Sequence, residues 1–272
     1  MFSMPSEGSS SVHRAIAVLL ALGEDESTEQ GSVGVVQIAR RVGREKSQVS
    51  RTLKVLAEAG LVDRDPDTMG YRLGWRLFTL AANAADQRLL ASAPAVLRRM
   101  VAASGERAHL SVLEQGGVLT VLSRSPLRAV QTAGWVGRLV PVHVTSSGRA
   151  LLFDHEPDDV REMLADADFS IVGPGGARSV EEFLERLEEA RVRGYVLSNE
   201  EFEPGLVAAG APVRDAQNRV IAALNVSAPK FRLGRRLHKT GRLVAAAAQE
   251  LSAEVSGRSS RSAEVKNRAV DS

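Results

Sequence analysis

The pattern of apolar and polar positions is most informative between Val35 and Gly74. Val36, Ile38, Ala39 and Val42 predict a helix of about two turns, closed by Gly43 where a left-handed residue suits the helix end. A second helix is predicted from Lys46 to Ala59. Its Val49, Leu53 and Leu56 fall at i, i+4 and i+7 and make one apolar stripe. The opposite face carries Lys46, Ser47, Gln48, Arg51 and Lys54. Gly60 stops this helix, and a turn rich in Asp and Pro separates two short apolar runs, Leu61–Val62 and Tyr71–Leu73, which read as a two-stranded wing. Upstream, Ser11 to Leu22 predicts a helix with Val12, Ile16 and Leu19 on one side. Gly23–Gly34 reads as a loop, and residues 1–10 as a polar, disordered lead.

After the wing the pattern changes twice. Trp75, Phe78, Ala82, Ala85 and Leu89 are spaced 3, 4, 3 and 4, an a/d seam that predicts a linker helix over 75–91 able to dimerise. From about Ser92 helices and strands intermix. Pro94–Ala103 predicts a helix, and His109–Leu113 and Val118–Ser123 predict strands around the turn Gln115-Gly116-Gly117. Ala129–Ala133 reads as another strand and Gly134–Pro141 as a loop. Helices are expected at Ser147–Phe153, beginning at Thr145 or Ser146, and from Pro157 to Leu164. Ser179 and Glu182 make a capping-box pattern before a helix with Phe183, Leu187 and Ala190 on one face, ended by Gly194. Tyr195–Ser198, Ala208–Val213 and Arg219–Ser227 read as strands, Leu237–Val255 as a final helix, and 258–272 as a disordered tail. The organisation expected is therefore α+β: a lead (1–10), a winged helix-turn-helix domain (11–74), a linker helix (75–91), an α/β domain (92–257) and a tail.

Composition narrows the function classes. At 272 residues the chain suggests two domains, and 44% hydrophobic with 25% charged residues is ordinary for globular proteins. The net charge is only +2, so affinity for nucleic acid would have to come from a local patch. Such a patch exists: Arg40, Arg41, Arg44, Lys46, Arg51, Lys54 and Arg64 stand against Glu45, Glu58 and Asp63. A helix with one buried stripe and a basic, hydrogen-bonding outer face is what reading a major groove requires. Gln48 suits an adenine edge and Arg51 a guanine edge. The DNA-contacting set is thus Arg44, Lys46, Ser47, Gln48, Arg51 and Lys54, with Arg72 in the wing. There are no cysteines, which excludes disulfides and thiolate metal sites. With no long apolar run and a start unlike a signal peptide, a cytoplasmic location and no membrane partner are expected.

The order of these parts resembles the IclR family of bacterial transcriptional regulators over about Ser11 to Val255. The residues that carry the resemblance are SVHRAIAVLLAL, KSQVSRTLKVLAEAGLV and GYRLG in the first part. In the second they are ERAHLSVLEQGGVLTVLSR, GRLVPVHVTSSGRALL, RGYVLSNEEFEPGLVAAGAPV and NRVIAALNVSAP. The resemblance implies a winged helix-turn-helix, a linker helix, and an effector domain with a curved antiparallel sheet that binds a small organic molecule. It also implies double-stranded DNA as partner and assembly into a homodimer or homotetramer.

The same resemblance points to effector-binding residues Ser146, Ser147 and Gly148 at a helix start, Ser198 and Asn199, Ala208, and Asn225 and Ser227. In Arg219–Ser227 the period of two puts Val220, Ala222, Leu224 and Val226 on one face. By pattern alone Asn225 and Ser227 on the other face line a cavity or meet solvent; the resemblance favours the cavity. Many relatives have an acidic residue at Ser198 or Asn199 and a Cys at Ala208, so a less acidic, thiol-free site with a changed preference, toward an organic acid or aromatic compound, is expected. Leu122, Leu127, Trp135 and Val140 are candidates for its wall.

Two other classes compete, an enzyme and a protein-interaction module attached to a helical domain. No catalytic residues, metal ligands or cofactor are expected: H-E-x-x-H, G-x-x-x-x-G-K-[ST] and the nucleophile-elbow frame are all missing. His143 reads as structural, and Glu200, Glu201 and Glu203 as a solvated run. The basic run Lys230, Arg232, Arg235, Arg236, Lys239 and Arg242 would suit an acidic partner or DNA backbone, or a plain exposed face.

Overall fold

The structure is a computed structural model that describes residues 11–23, 32–84, 87–126, 135–170 and 172–257. The strand expected at Ala129–Ala133 lies outside them. The chain divides between Gln87 and Arg88 into two compact units.

In the first unit, α1 (Ser11–Gly23), α2 (Val35–Arg41) and α3 (Lys46–Glu58) precede a hairpin of β1 (Val62–Arg64) and β2 (Tyr71–Leu73). Val33 forms an isolated antiparallel bridge to Tyr71 beside the two-stranded wing. The three helices and the wing share a core built from Val18, Leu22, Ile38, Val49, Leu53, Leu56 and Tyr71. Gly43 and Gly60 take positive φ of 61° and 71°. The amides that follow them, of Arg44 and Leu61, bond back to Ala39 and Leu56 and satisfy the last carbonyls of α2 and α3.

Two expected faces are corrected here. On α2 the stripe starts at Val35, and Val36 is 64% exposed, because 100° per residue aligns Val35 with Ile38, Ala39 and Val42. On α1 the buried side is Val18, Ala21 and Leu22, with Ala15 and the expected Leu19 packed beside them, while Val12, Ile16 and Leu20 are exposed. Beyond Arg14 this helix is apolar all round, so its sequence offers two stripes and the core takes the other one.

The expected linker covers α4 (Trp75–Ala84), in the first unit with Trp75 and Phe78 exposed, and the start of α5 (Gln87–Ser104), whose Leu89 is buried in the second unit's core; Ala85 of the expected seam lies outside the described residues. The helix expected from Pro94 begins seven residues earlier, and Pro94 sits inside it. The hydrogen bond lost at proline is outweighed by burial of Leu89, Ala93, Val96, Leu97 and Met100 along one side.

The second unit is built on a curved six-stranded antiparallel sheet. Its strands are β3 (Arg107–Glu114), β4 (Gly117–Arg124), β5 (Leu139–Pro141), β6 (Val196–Asn199), β7 (Leu206–Arg214) and β8 (Val220–Pro229), in the order β5-β4-β3-β8-β7-β6. Gln115 and Gly116 both take positive φ and form the two-residue turn between β3 and β4. β5, expected as part of a loop, is a three-residue edge strand on β4, where a proline needs no ladder partner for its nitrogen.

Four helices and a fragment complete the unit: α6 (Ser146–Leu151), α7 (Pro157–Met163), α8 (Val180–Arg193), the short α9 (Lys230–Leu233) and α10 (Leu237–Val255). α5 and α10 cover one face of the sheet; α6, α7 and α8 pack over the other. A register shift on β8 near Val220 breaks the period of two. Ala222, Leu224 and Val226 join the α5/α10 core as expected, but Val220 packs on the α6–α8 side and Ile221 takes its place.

Candidate functional site

α3 places its functional side chains by helical period alone. With Val49, Leu53 and Leu56 buried, Lys46, Ser47, Arg51 and Lys54 are exposed and Gln48 is half-buried. Arg51 Nε donates to the Ser47 carbonyl at 3.4 Å, which lays the side chain back along its own helix. Arg44 is exposed just before the helix, and Arg72 is exposed on β2, 3.9 Å from Asp63. Ser50, not singled out from sequence, is exposed and shares the α3 outer face with Ser47 and Lys54, and Arg64 of the basic patch stacks 5.6 Å over the Tyr71 ring from the wing.

In the second unit a cavity opens between the sheet and the start of α6. His109, Ser111, Val118 and Thr120 come from β3 and β4, Ala208 from β7, Asn225 and Ser227 from β8, Ser198 from β6, and Ser146 and Ser147 from α6. Gly210 lets the backbones meet there: a β-carbon on it would lie 2.8 Å from the Ser146 carbonyl oxygen. Thr145 caps α6 by accepting from the Gly148 N–H at 3.0 Å. Trp135, Val140 and Phe202 form a wall, with Trp135 edge-on to both His109 (6.0 Å) and Phe202 (5.8 Å).

His109 is buried, and desolvation, aided by the charge of Arg107, lowers its pKa to about 3, so the imidazole is neutral. Its Nε2 lies 3.3 Å from Ser227 Oγ, while Nδ1 has no partner. Ser146 Oγ is likewise buried without a partner. Among the described residues, no Asp, Glu, Lys or Arg lines the cavity. A cavity that combines apolar walls with hydroxyl, amide and imidazole groups is an arrangement that can bind small organic molecules.

The family models divide at the same kind of seam. The IclR helix-turn-helix model matches residues 11–66, and the model for the C-terminal part of bacterial IclR transcriptional regulators matches 81–253. The chain belongs to the IclR family of bacterial transcriptional regulators. It is similar to the transcriptional regulator KdgR of Dickeya chrysanthemi, 31% identical over 82% of this chain and 72% of that one. It is also similar to KdgR of Escherichia coli K12, 29% identical over 90% and 92%. Among solved structures it resembles an IclR homologue of Microbacterium hydrocarbonoxydans complexed with 4-hydroxybenzoate. That likeness has TM-score 0.76 and 28% identity, covering 90% of this chain and 99% of the other. A fold of an N-terminal helix-turn-helix and a curled antiparallel half-barrel is common to this IclR chain and its relatives.

Of the effector residues expected from sequence, Ser146, Ser147, Ser198, Ala208, Asn225 and Ser227 line the cavity. Gly148 does not: its N–H is taken by Thr145 and its α-carbon rests against the Val142 carbonyl. Asn199 does not either, because one step along β6 moves a side chain to the opposite face, where it is exposed. Trp135 and Val140 are wall residues as expected; Leu122 packs against the α5/α10 core instead, and Leu127 lies outside the described residues. His109 was not singled out from sequence.

Of the acidic run expected to be solvated, Glu203 is exposed, but Glu200 and Glu201 are not free. Glu201 is buried and ion-paired with Arg149, itself buried, and lies 3.5 Å from Arg186. Burial raises the Glu201 pKa against the opposing pull of Arg149 and Arg186. Glu200 pairs with Lys230 and accepts from the Gly205 N–H, and Arg232 makes a bidentate pair with Glu106, so two members of the basic run have internal partners. His143 is buried 4.8 Å from the Phe169 ring with Nε2 unpartnered. Among the described residues no cluster of His, Cys, Asp or Glu can hold a metal ion, and no helix is long and apolar enough to cross a membrane.

Proposed function

We propose that the protein is a cytoplasmic transcriptional regulator whose affinity for an operator is set by a small organic effector bound in the second unit's cavity. The observation that carries the sensing half is the cavity itself, with no charged side chain among its described lining residues and two buried polar atoms without partners on them. A free protein tolerates such atoms where a ligand completes their hydrogen bonds. The complex of a relative with 4-hydroxybenzoate supports a small organic acid or aromatic compound as the kind of ligand. Ser146, Ser147, Ser198, Ala208, Asn225 and Ser227 contact the effector in this reading, with Gly148 and Asn199 shaping the backbone around it.

On DNA, Ser47, Gln48 and Arg51 read base edges, Arg44, Lys46 and Lys54 hold phosphates, and Arg72 in the wing touches the backbone or minor groove. Exposed Val12, Ile16 and Leu20, at i, i+4 and i+8 on α1, and the exposed edge-to-face pair Trp75 and Phe78 form apolar surface that a second copy would bury. A homodimer or homotetramer on paired half-sites follows. The effector acts only if it prefers one of two arrangements of that assembly. The relatives are regulators rather than enzymes, and no catalytic role is assigned.

Fluorescence anisotropy against the protein's own upstream DNA and a scrambled duplex, over a salt series, tests the reading. Saturable binding with a preference of ~10³-fold or more for upstream DNA supports it; no binding to either duplex at low salt overturns it. Arg51→Ala is expected to cost about 1–3 kcal/mol on the specific duplex and to relax specificity at one position. An equal loss on random DNA would remove the base-reading role.

A further inference from the structure

The outward faces of α8 and α10 carry matching patterns of opposite charge. On α8, Glu181, Glu185, Glu188 and Val192 fall at i, i+4, i+7 and i+11 and form one exposed stripe. On α10 and the turn before it, Arg235, Lys239, Arg242 and Ala246 repeat that spacing and are exposed as well. Burial of Phe183 and Leu187 on α8, and of Leu237, Val244 and Leu251 on α10, fixes both stripes outward. Val192 is 85% exposed, in a shallow groove with Glu185, Glu188 and the Glu189–Arg193 pair. Among the described residues, Glu185, Arg235, Lys239 and Arg242 have no ion-pair partner in their own chain. Glu181 and Glu188 reach Arg161 and Arg191 at 3.8 and 3.3 Å, exposed pairs that hold little energy.

A run of like charges on one helix is ordinarily solvated. These two differ from that case because each is the complement of the other, position by position, over about 16 Å of helix. Laid side by side and running the same way, they set Arg235 against Glu181, Lys239 against Glu185, Arg242 against Glu188 and Ala246 against Val192. The antiparallel arrangement over the same span sets Arg235 on Val192 and leaves Glu181 facing Ala246. Pairing α8 with α8, or α10 with α10, brings like charges together. Within one copy α8 and α10 pack on opposite faces of the sheet, so the two stripes meet only across copies. A two-fold axis would make the contact twice, α8 on α10 and α10 on α8. Phe231, 86% exposed and four residues before Arg235, adds apolar area at the edge of the basic stripe.

We propose that the second unit docks on a second copy of itself, with α8 of each copy lying parallel to α10 of the other in this register. The contact is separate from the apolar surface on α1 and α4 and does not depend on it.

Sedimentation velocity of the full chain tests the pairing. Glu185→Lys and Lys239→Glu each turn an attractive pair into a repulsive one on both sides of the two-fold. Each is expected to weaken assembly roughly 10–100-fold and to halve the mass at micromolar concentration. The halving holds whether or not the first unit also pairs: four copies fall to two, or two to one. Mixing the two variants is expected to restore the wild-type mass, because the reversed charges then face each other. Joining both substitutions in one chain is expected to do the same, and the recovery shows that the single variants fold. A monomeric wild type overturns the proposal, as do single variants of unchanged mass. A loss of mass that neither mixing nor the double substitution restores overturns it too. If Lys239→Glu lowers DNA affinity and leaves the mass alone, the basic stripe serves the DNA backbone and the proposal falls.

Discussion

Strands β3, β7 and β8 carry two faces with opposite properties. Beneath α5 and α10, Leu110, Ala209, Ala211, Ala222, Leu224 and Val226 are sealed into one apolar core. One residue along each strand, His109, Ser111, Ala208, Asn225 and Ser227 turn toward the cavity. These strand side chains on the sealed face are all apolar. The cavity face leaves buried polar atoms without partners, which a core selected for stability alone would not retain. Folding and recognition are thus separated by a single step in the pleat, and the cavity side is supported from behind by the Arg149–Glu201 ion pair.

That support is where the comparison breaks most sharply. Glu201 sits beside the wall residue Phe202 and bonds Arg149, which stacks 5.6 Å over Phe183 and donates to the Leu197 carbonyl. Glu201→Ala leaves a buried guanidinium unpaired, and the loss expected is about 3–5 kcal/mol. Chemical denaturation reads it. A loss below about 1 kcal/mol would mean that the network is hydrated and that the cavity side is not held by it. The expected loss also ranks this polar pair with the sealed face: Leu224→Ala there should cost about 2–5 kcal/mol, with the ligand affinity of the folded fraction unchanged. A change in affinity at equal stability would show that the two faces are coupled through β8.

Legibility from sequence follows the same division. The α3 stripe and its basic outer face were readable because a short helix with only one apolar side has only one way to lie. α1 misled because it is apolar nearly all round, and Val36 because two adjacent valines offer alternative starts to one stripe. On β8 the alternation held from Ala222 onward and failed at Val220, where the register shifts against β7, a feature set by the partner strand. Ser146, Ser147, Ser198, Ala208, Asn225 and Ser227 came from family resemblance, and their gathering around one cavity needed the fold. His109 and the Arg149–Glu201 pair left no local signal: the histidine stands alone in a strand, and the paired charges are 52 residues apart.

His109 gives the smallest expected effect and the finest test of the difference between the faces. Its pKa is about 3 in the folded protein, against 6.5 for an unperturbed histidine. Between these values the unfolded chain takes up a proton that the folded protein refuses, so stability falls as pH falls, by at most about 1.4 kcal/mol per pH unit. Above pH 6.5 both states hold a neutral ring and the term vanishes. The groups facing the ring are Ser227 and Asn225 on β8 and the Trp135 edge, with Arg107 the charge on its own strand. None of these titrates between pH 7.5 and 5.0, so the term belongs to His109. His109→Phe removes it. Denaturation of both proteins at the two pH values should therefore show the wild type losing about 2 kcal/mol relative to the variant on acidification. A parallel pH dependence would mean that water reaches the imidazole and that the cavity face is wet, in which case Nδ1 is satisfied by solvent rather than reserved for a ligand. A wild type that loses stability faster than the variant would mark the imidazole as dry, and a dry donor or acceptor is the condition under which one hydrogen bond discriminates between ligands.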